Sequence, residues 1–373
     1  MHSPPEALYI GSDIYRQSSF GDNHPLSYAR QDSLIDICRL MGWLSDENFR
    51  ASPMADIATL TKFHDAAYVE ALQVSSAAGK VPINAREKYN FGNMENPIFK
   101  GVFERASTTV GGSILAAQIA MNGQTAFHPA GGTHHGQRDK AHGFCYFNDP
   151  VFAILKLLDE GCDKVSYIDI DAHHGDGVEA AFAAEPRVSF LSVQEEGRWP
   201  YSGTMQDQAP QTCNVPVPRG LNDQEFEQIM ERLVLPYIEQ WQPAALVITC
   251  GADGLADDPL SKMGLSNGAL WDAVLSLVER CKTNIVLGGG GYNPWTTMRC
   301  WAGLWGLLSG FDLPDSLPEP VRAILRKFDS DIIDEEDRQP DWIDRLRDPA
   351  QEGTVRDEIT DRINLLRGVH LKN

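Results

Sequence analysis

Short runs of β-branched and aromatic residues alternate along this chain with longer stretches of helical spacing. ALYIG (7–11), TAFH (125–128), VSYIDI (165–170), VSFLSV (188–193), CNVPV (213–217), ALVITC (245–250) and NIVLGGG (284–290) predict seven strands. Between them, residues 101–122, 149–160, 225–241 and 268–281 carry apolar positions at helical intervals. Strand followed by helix, repeated, predicts a parallel sheet covered on both faces. No internal repeat and no linker interrupts the pattern before about residue 311, so residues 1–310 read as one unit.

One run breaks the apolar rule. In YIDIDAHHGDGVEAAF (167–182), Asp169, Asp171 and His173 occupy every second position, and side chains so spaced share one side of an extended segment. Buried carboxylates are costly unless something compensates them, and a cation is the natural candidate.

The chemically unusual residues follow strand after strand. TAFH runs into HPAGGTHHGQRDKAHGFCY, VSYI into DIDAHHGDG, VSFL into SVQEEGRWPYSG, ALVIT into CGADGLADDP, and NIVL into GGGGYN. In open α/β sheets ligands bind beyond the carboxyl ends of the strands, so five such loops converge on one rim. Six of the ten histidines fall between residues 128 and 174.

Asp171, His173 and Asp253 offer two carboxylates and an imidazole at two strand ends. That donor set suits a catalytic zinc, which takes three protein ligands and keeps an open position. A lone Asp-Gly such as Asp253-Gly254 is ordinarily a turn or helix cap, and gains weight only beside the DIDAHHGDG block. The tandem His134 and His135, with Asp169 and Asp176 to spare, predict imidazole–carboxylate pairs that set tautomer and basicity. GGGGYN is not GxGxxG and lacks an acidic ribose partner, so a nucleotide loop is the weaker reading. Its glycines would expose Tyr292, whose hydroxyl can donate to a developing oxyanion, although a lone tyrosine is more often a packed aromatic.

Charge and cysteines narrow the class. Thirty-two basic against fifty-two acidic residues give a formal charge of −20, which argues against partners held by phosphates and against an anionic membrane surface. Seven scattered cysteines without a CxxC predict no disulfide framework and a reducing, cytoplasmic setting. The N-terminus has no basic stretch followed by an apolar run, and no segment has eighteen uninterrupted apolar residues. Residues 329–361 hold thirteen acidic and four basic residues. With Val355, Ile359, Ile363 and Leu366 at helical spacing after them, residues 311–373 read as a solvated acidic extension ending in a helix packed on the body.

HPAGGTHHGQRDKAHGFCYFND, YIDIDAHHGDGVEAAF, GAD-x4-DPL and GGGGYN together resemble the motifs of zinc-dependent histone deacetylases, most of all the bacterial acetoin-utilization type, over roughly residues 7–310. The resemblance implies a single-domain arginase-like α/β fold with an eight-stranded parallel sheet, and hydrolysis of an N-acetyl amide. It implies Zn²⁺, with Fe²⁺ as the alternative, on Asp171, His173 and Asp253. His135 would be the general base and then acid, paired with Asp176. His134, paired with Asp169, would be its electrostatic partner, and Tyr292 would polarise the acetyl carbonyl. Gly143, Phe144 and Leu260 would line a narrow channel, and Arg30 would meet released acetate beneath it. Asp169, Asp171, His173, Ser192 and Val193 match a potassium site.

Three positions depart from the family pattern. Trp199 stands where a channel wall is usually Phe, which implies a narrower slot. Gln194 replaces a common histidine, and Glu95 aligns with a rim aspartate that grips substrate backbone. The expected substrate is acetyl-lysine in proteins or peptides. Acetylated polyamines are the runner-up, compatible with the negative charge, but the chain lacks a channel-restricting insertion. A dinuclear manganese ureohydrolase would leave Tyr292 and the paired histidines unexplained, and a silent acetyl-binding module would not need every catalytic position filled. Oligomeric state is left open.

Overall fold

Each of the seven apolar runs forms a strand, and an eighth that the pattern missed, Phe49–Ala51, pairs at the edge. The computed structural model describes residues 7–16, 20–21 and 24–372. The first six residues, part of the N-terminus read as lacking a leader, lie outside them. In chain order the strands are β1 (Ala7–Gly11), β2 (Phe49–Ala51), β3 (Thr125–His128), β4 (Val165–Asp169), β5 (Val188–Glu195), β6 (Thr212–Val217), β7 (Ala245–Thr249) and β8 (Asn284–Leu287). They make one sheet in the order β2-β1-β3-β8-β7-β4-β5-β6, with every pair parallel. Three exposed or half-exposed residues carry no apolar run, which is why β2 left no trace in the sequence.

Parallel strands need crossover helices, and these bury both faces of the sheet. Alternation along the strands sorts the core accordingly. Ile168, Ile248, Val286 and Phe127 face a layer containing Trp271, Trp301 and Trp305, while Tyr167, Val247, Ile285 and Ala126 face one containing Phe103, Phe147 and Phe152. The helices Val102–Met121 and Asp149–Asp159 cover the second face. The helices Arg30–Leu40, Asn267–Val278 and Pro294–Leu308 cover the first. The predicted helix at 225–241 is three segments in succession, with a wider turn at Met230–Val234 between Asp223–Ile229 and Leu235–Trp241.

The acidic C-terminal stretch is more firmly attached than a solvated tail. Trp342 stacks on Trp295 with ring centroids 5.7 Å apart, and Leu346 and Ile333 join the same core layer. Arg356 meets buried Glu225 through Nε and Nη2, both at 2.6 Å. The terminal helix Asp357–His370 buries Ile359, Ile363 and Leu366, whereas Val355 precedes it and is exposed. All seven cysteines are free, and no described helix is long and apolar enough to cross a membrane.

Candidate active site

Register explains the acids of the opening stretch. Asp169 ends β4 on the same side as Tyr167, whose hydroxyl donates to Asp169 Oδ2 at 2.7 Å. Beyond the strand end the chain carries Asp171 and His173 to the rim, and β7 delivers Asp253 beside them. One donor atom from each of the three lies within 4.8 Å of the others, and all three residues are buried. His173 Nδ1 is 2.8 Å from Asp253 Oδ2 and 3.3 Å from Asp171 Oδ1.

Two observations show that this cluster fits a metal ion. Burial disfavours a charged imidazole, yet Asp171 and Asp253 together push His173 up to about 10, so the locus draws positive charge. Burial and the neighbouring Asp171 charge push the Asp253 carboxyl up to about 6. The backbone is also cut away around the carboxylates: a Cβ on Gly290 or Gly251 would collide with Asp253 and Asp171 oxygens. Gly290 instead donates its N–H to Asp171 Oδ2 at 2.6 Å.

Facing the cluster is the loop after β3. His134 Nδ1 lies 2.7 Å from Asp169 Oδ2, and His135 Nδ1 lies 2.7 Å from Asp176 Oδ1, the first residue of the helix Asp176–Phe182. The two imidazoles are driven apart in basicity. Burial and then the charge of His134 push His135 down to about 3, against the opposing pull of Asp176. For His134, burial is outweighed by Asp169 and Asp171, which push it up to about 9. The two rings thus differ in basicity, His135 the weaker base and His134 the stronger.

Above them opens a cavity of about 470 Å³ lined by His135, His173, Tyr292, Phe144, Trp199 and Leu260, with Glu95 and Gly143 also on its wall. Gly143 and Phe144 are the two central residues of a tight turn closed by His142 and Cys145, and both have positive φ, 54° and 67°. A phenylalanine there costs about 1–2 kcal/mol. The strain sets its ring 5.9 Å from that of Tyr292. Trp199 lies edge-on to His135 at 4.7 Å and against Gly143, where a side chain would strike the indole. Burial, reinforced by the charges of Asp253 and Asp171, raises the Tyr292 phenol well above its ordinary value, so it stays a donor.

Not every expected residue meets in the channel. Arg30 lies in a separate inner cavity of about 80 Å³ that shares Phe144 as a wall, donates to Gly289 O at 3.0 Å and sits over Trp301. Ser192 and Val193 lie on β5, with Ser192 in register with Asp169. Glu95 turns one oxygen inward to accept the Gly143 N–H at 2.6 Å. Gln194 is buried and donates to Gly203 O at 2.6 Å.

Several residues that hold this machinery gave little sequence signal. Asn148 caps the helix Asp149–Asp159 and also donates to the carbonyls of His134 and Gly136, at 3.1 and 2.9 Å. Asp258 accepts the Tyr292 and Leu260 amides at 2.8 and 2.9 Å. Each sits inside a quoted motif, but an Asn before Asp-Pro or an Asp before Pro reads alone as a cap or turn.

Comparison with known proteins gives the same picture. The histone deacetylase domain family matches residues 24–308. The acetoin utilization protein AcuC of Bacillus subtilis is 31% identical over 330 residues, covering 84% of each chain. Histone deacetylase 8 of Xenopus tropicalis is 31% identical over 322 residues, covering 84% of this chain and 86% of its own. The crystal structure of a histone deacetylase homologue from Aquifex aeolicus superposes with a TM-score of 0.93 at 33% identity, covering 97% of this chain and 100% of its own. A homologue solved in complex with SAHA gives 0.92 at 32%, with the same coverage. The single α/β domain with its eight parallel strands is therefore the histone deacetylase fold, and the chain belongs to the histone deacetylase family of amide-bond hydrolases.

Proposed function

We propose that this protein is a zinc-dependent deacetylase that removes the acetyl group from the Nε atom of acetyl-lysine in proteins or peptides and releases acetate. The observation that carries the reading is the convergence of the Asp171–His173–Asp253 cluster, the His134–Asp169 and His135–Asp176 pairs and Tyr292 at the foot of one channel. Asp171, His173 and Asp253 would hold the ion, Zn²⁺ by its donor set with Fe²⁺ as the alternative. When bound, it would act as a Lewis acid on the scissile carbonyl and on the attacking water.

The chain's own residues supply the rest. Phe144 and Trp199 wall the channel and suit an aliphatic stem. Tyr292 donates its hydroxyl to the carbonyl oxygen as charge develops there. His135, with Nδ1 committed to Asp176, presents Nε2 to the channel. That atom takes the proton from water and returns it to the leaving amine nitrogen. Charged His134 steadies the anionic intermediate from the side.

A potassium ion on Asp169, Ser192 and the carbonyls of Asp171, His173 and Val193 belongs to the same proposal. It is supported by the Ser192 hydroxyl, which is buried with no hydrogen-bond partner. Peptides are the first reading because exposed Tyr201 on the channel wall offers an aromatic platform for a chain, while the charge of Arg198 beside it is taken up by Glu195 at 2.8 and 2.9 Å. Turnover of acetyl-lysine peptides by zinc-loaded protein should exceed that of acetylputrescine and acetylspermidine. The reverse order would replace this substrate with the polyamine, and no turnover of either would leave an acetyl-binding module.

A further inference from the structure

His142 has no part in the chemistry above, yet it lies beside the acid–base pair. Its Nδ1 is 3.2 Å from Asp176 Oδ2, while the other oxygen of that carboxylate binds His135. The ring centroid is 4.6 Å from that of Trp199 and 6.1 Å from that of His135, and 23% of the side chain is exposed. Asp176 therefore receives two side-chain donors, His135 on Oδ1 and Gln137 Nε2 on Oδ2 at 2.8 Å, and the buried His142 Nδ1, which has no other hydrogen-bond partner, stands within reach of Oδ2. His135, His142 and Asp176 offer atoms close enough for a metal ion. The Gln137 amide, which also donates to Asp176, makes a hydrogen-bonded network the fuller account of all four groups.

We propose that His142 is a positioning residue for the reaction, acting on His135 through Asp176. A carboxylate held by one donor can swing about its Cβ–Cγ bond. With His135 on one oxygen and His142 and Gln137 on the other, its plane is fixed and Oδ1 stays aimed at His135 Nδ1. That hydrogen bond in turn selects the tautomer that leaves His135 Nε2 free to accept a proton. Donation to a carboxylate requires a proton on His142 Nδ1, so its Nε2 is the atom left without a proton. Trp199, packed against both rings, keeps His142 from turning away. Neither His142 nor Gln137 touches the reacting atoms; they set the direction of the group that does.

The inference rests on the deacetylase reading for its kinetic test, and on the His135–Asp176 hydrogen bond alone for a second test. Three variants separate donor from bulk. His142→Ala removes both, His142→Phe keeps an aromatic body against Trp199 without the donor, and His142→Asn places an amide nitrogen about where Nδ1 was. With acetyl-lysine peptide and zinc-loaded protein, His142→Ala and His142→Phe should lower kcat about tenfold or more, as loss of an orienting partner does. KM should hold within about twofold, and His142→Asn should recover most of the loss. A His142→Phe variant with wild-type kcat, or an effect confined to KM, would overturn the inference and leave His142 as a packing neighbour of Trp199. Independently of turnover, the His135 Nδ1–H proton should be sharp and slowly exchanging by NMR in the wild type and in His142→Asn, and broadened in His142→Phe. An unchanged resonance in His142→Phe also overturns the inference. An inactive wild type would count against the deacetylase reading while this measurement still decides the role of His142.

Discussion

Asp258 accepts the backbone amide of Tyr292 at 2.8 Å, through the oxygen that also takes the amide of Asn293 at 3.3 Å. The carboxylate is buried, and burial together with the charge of Asp253 pushes it up to about 8. It thus ties the end of the β7 loop to the loop after β8, fixing Tyr292 relative to the Asp171–His173–Asp253 cluster. Asp258→Ala should lower kcat by about tenfold to a hundredfold with intact zinc content, the usual loss when an orienting partner is removed. Steady-state kinetics with metal analysis checks this.

Tyr292→Phe removes only the hydroxyl. The ring contacts with Phe144 and His173 remain, so fold and metal content should be unchanged. Loss of one oxyanion donor should cost about 10²–10³ in kcat. Activity at the wild-type level would mean that the phenol plays no part.

His135→Ala should abolish turnover more completely than His134→Ala, because only His135 faces the channel with a neutral ring. General acid–base groups contribute about 10²–10⁴ in rate. Equal losses in the two variants would contradict the assignment of base and electrostatic partner.

The C-terminal segment yields a stability prediction. Glu225 is fully buried and accepts Nε, Nη2 and the backbone amide of Arg356. Burial alone would raise its carboxyl, but the Arg356 hydrogen bonds outweigh burial and hold it below the ordinary range. Arg356→Ala should destabilise the protein by about 1.5–3 kcal/mol at neutral pH, the scale of hydrogen bonds to a charged group. A carboxylate with a lowered folded value contributes stability that is complete above its unfolded value, about 4.3, and is lost as pH falls through the folded value. The gap between wild type and variant, measured by urea denaturation, should therefore be widest at neutral pH and close on acidification. A gap that does not depend on pH would contradict the ion pair's role.

The Asp171–His173–Asp253 cluster was legible because its signal is local. Asp171 and His173 share a strand-end parity where an apolar residue belongs, and Asp253 follows the next strand in the sheet. The seven longer strands were legible because central parallel strands are apolar on both faces. Residues whose role depends on closure in space were not. Asp258, Asn148 and His142 reach their partners across 34, 14 and 34 residues, and no spacing rule connects them. The stretch between β2 and the helix Val102–Met121 also escaped: Ile83–Tyr89 buries only Tyr89, and Ala66–Ala78 puts Ser75 and Ser76 on its buried face after Tyr68, Val69 and Leu72, which cuts its apolar stripe short.

The account depends above all on one divalent ion held by Asp171, His173 and Asp253. Chelator-treated protein titrated with Zn²⁺, with bound metal and deacetylation of an acetyl-lysine peptide followed together, tests it most directly. Activity should rise from zero and level off at one ion per chain, and His173→Ala should neither bind the ion tightly nor turn over. Activity that persists without metal, or a plateau reached only at two ions per chain, would contradict it.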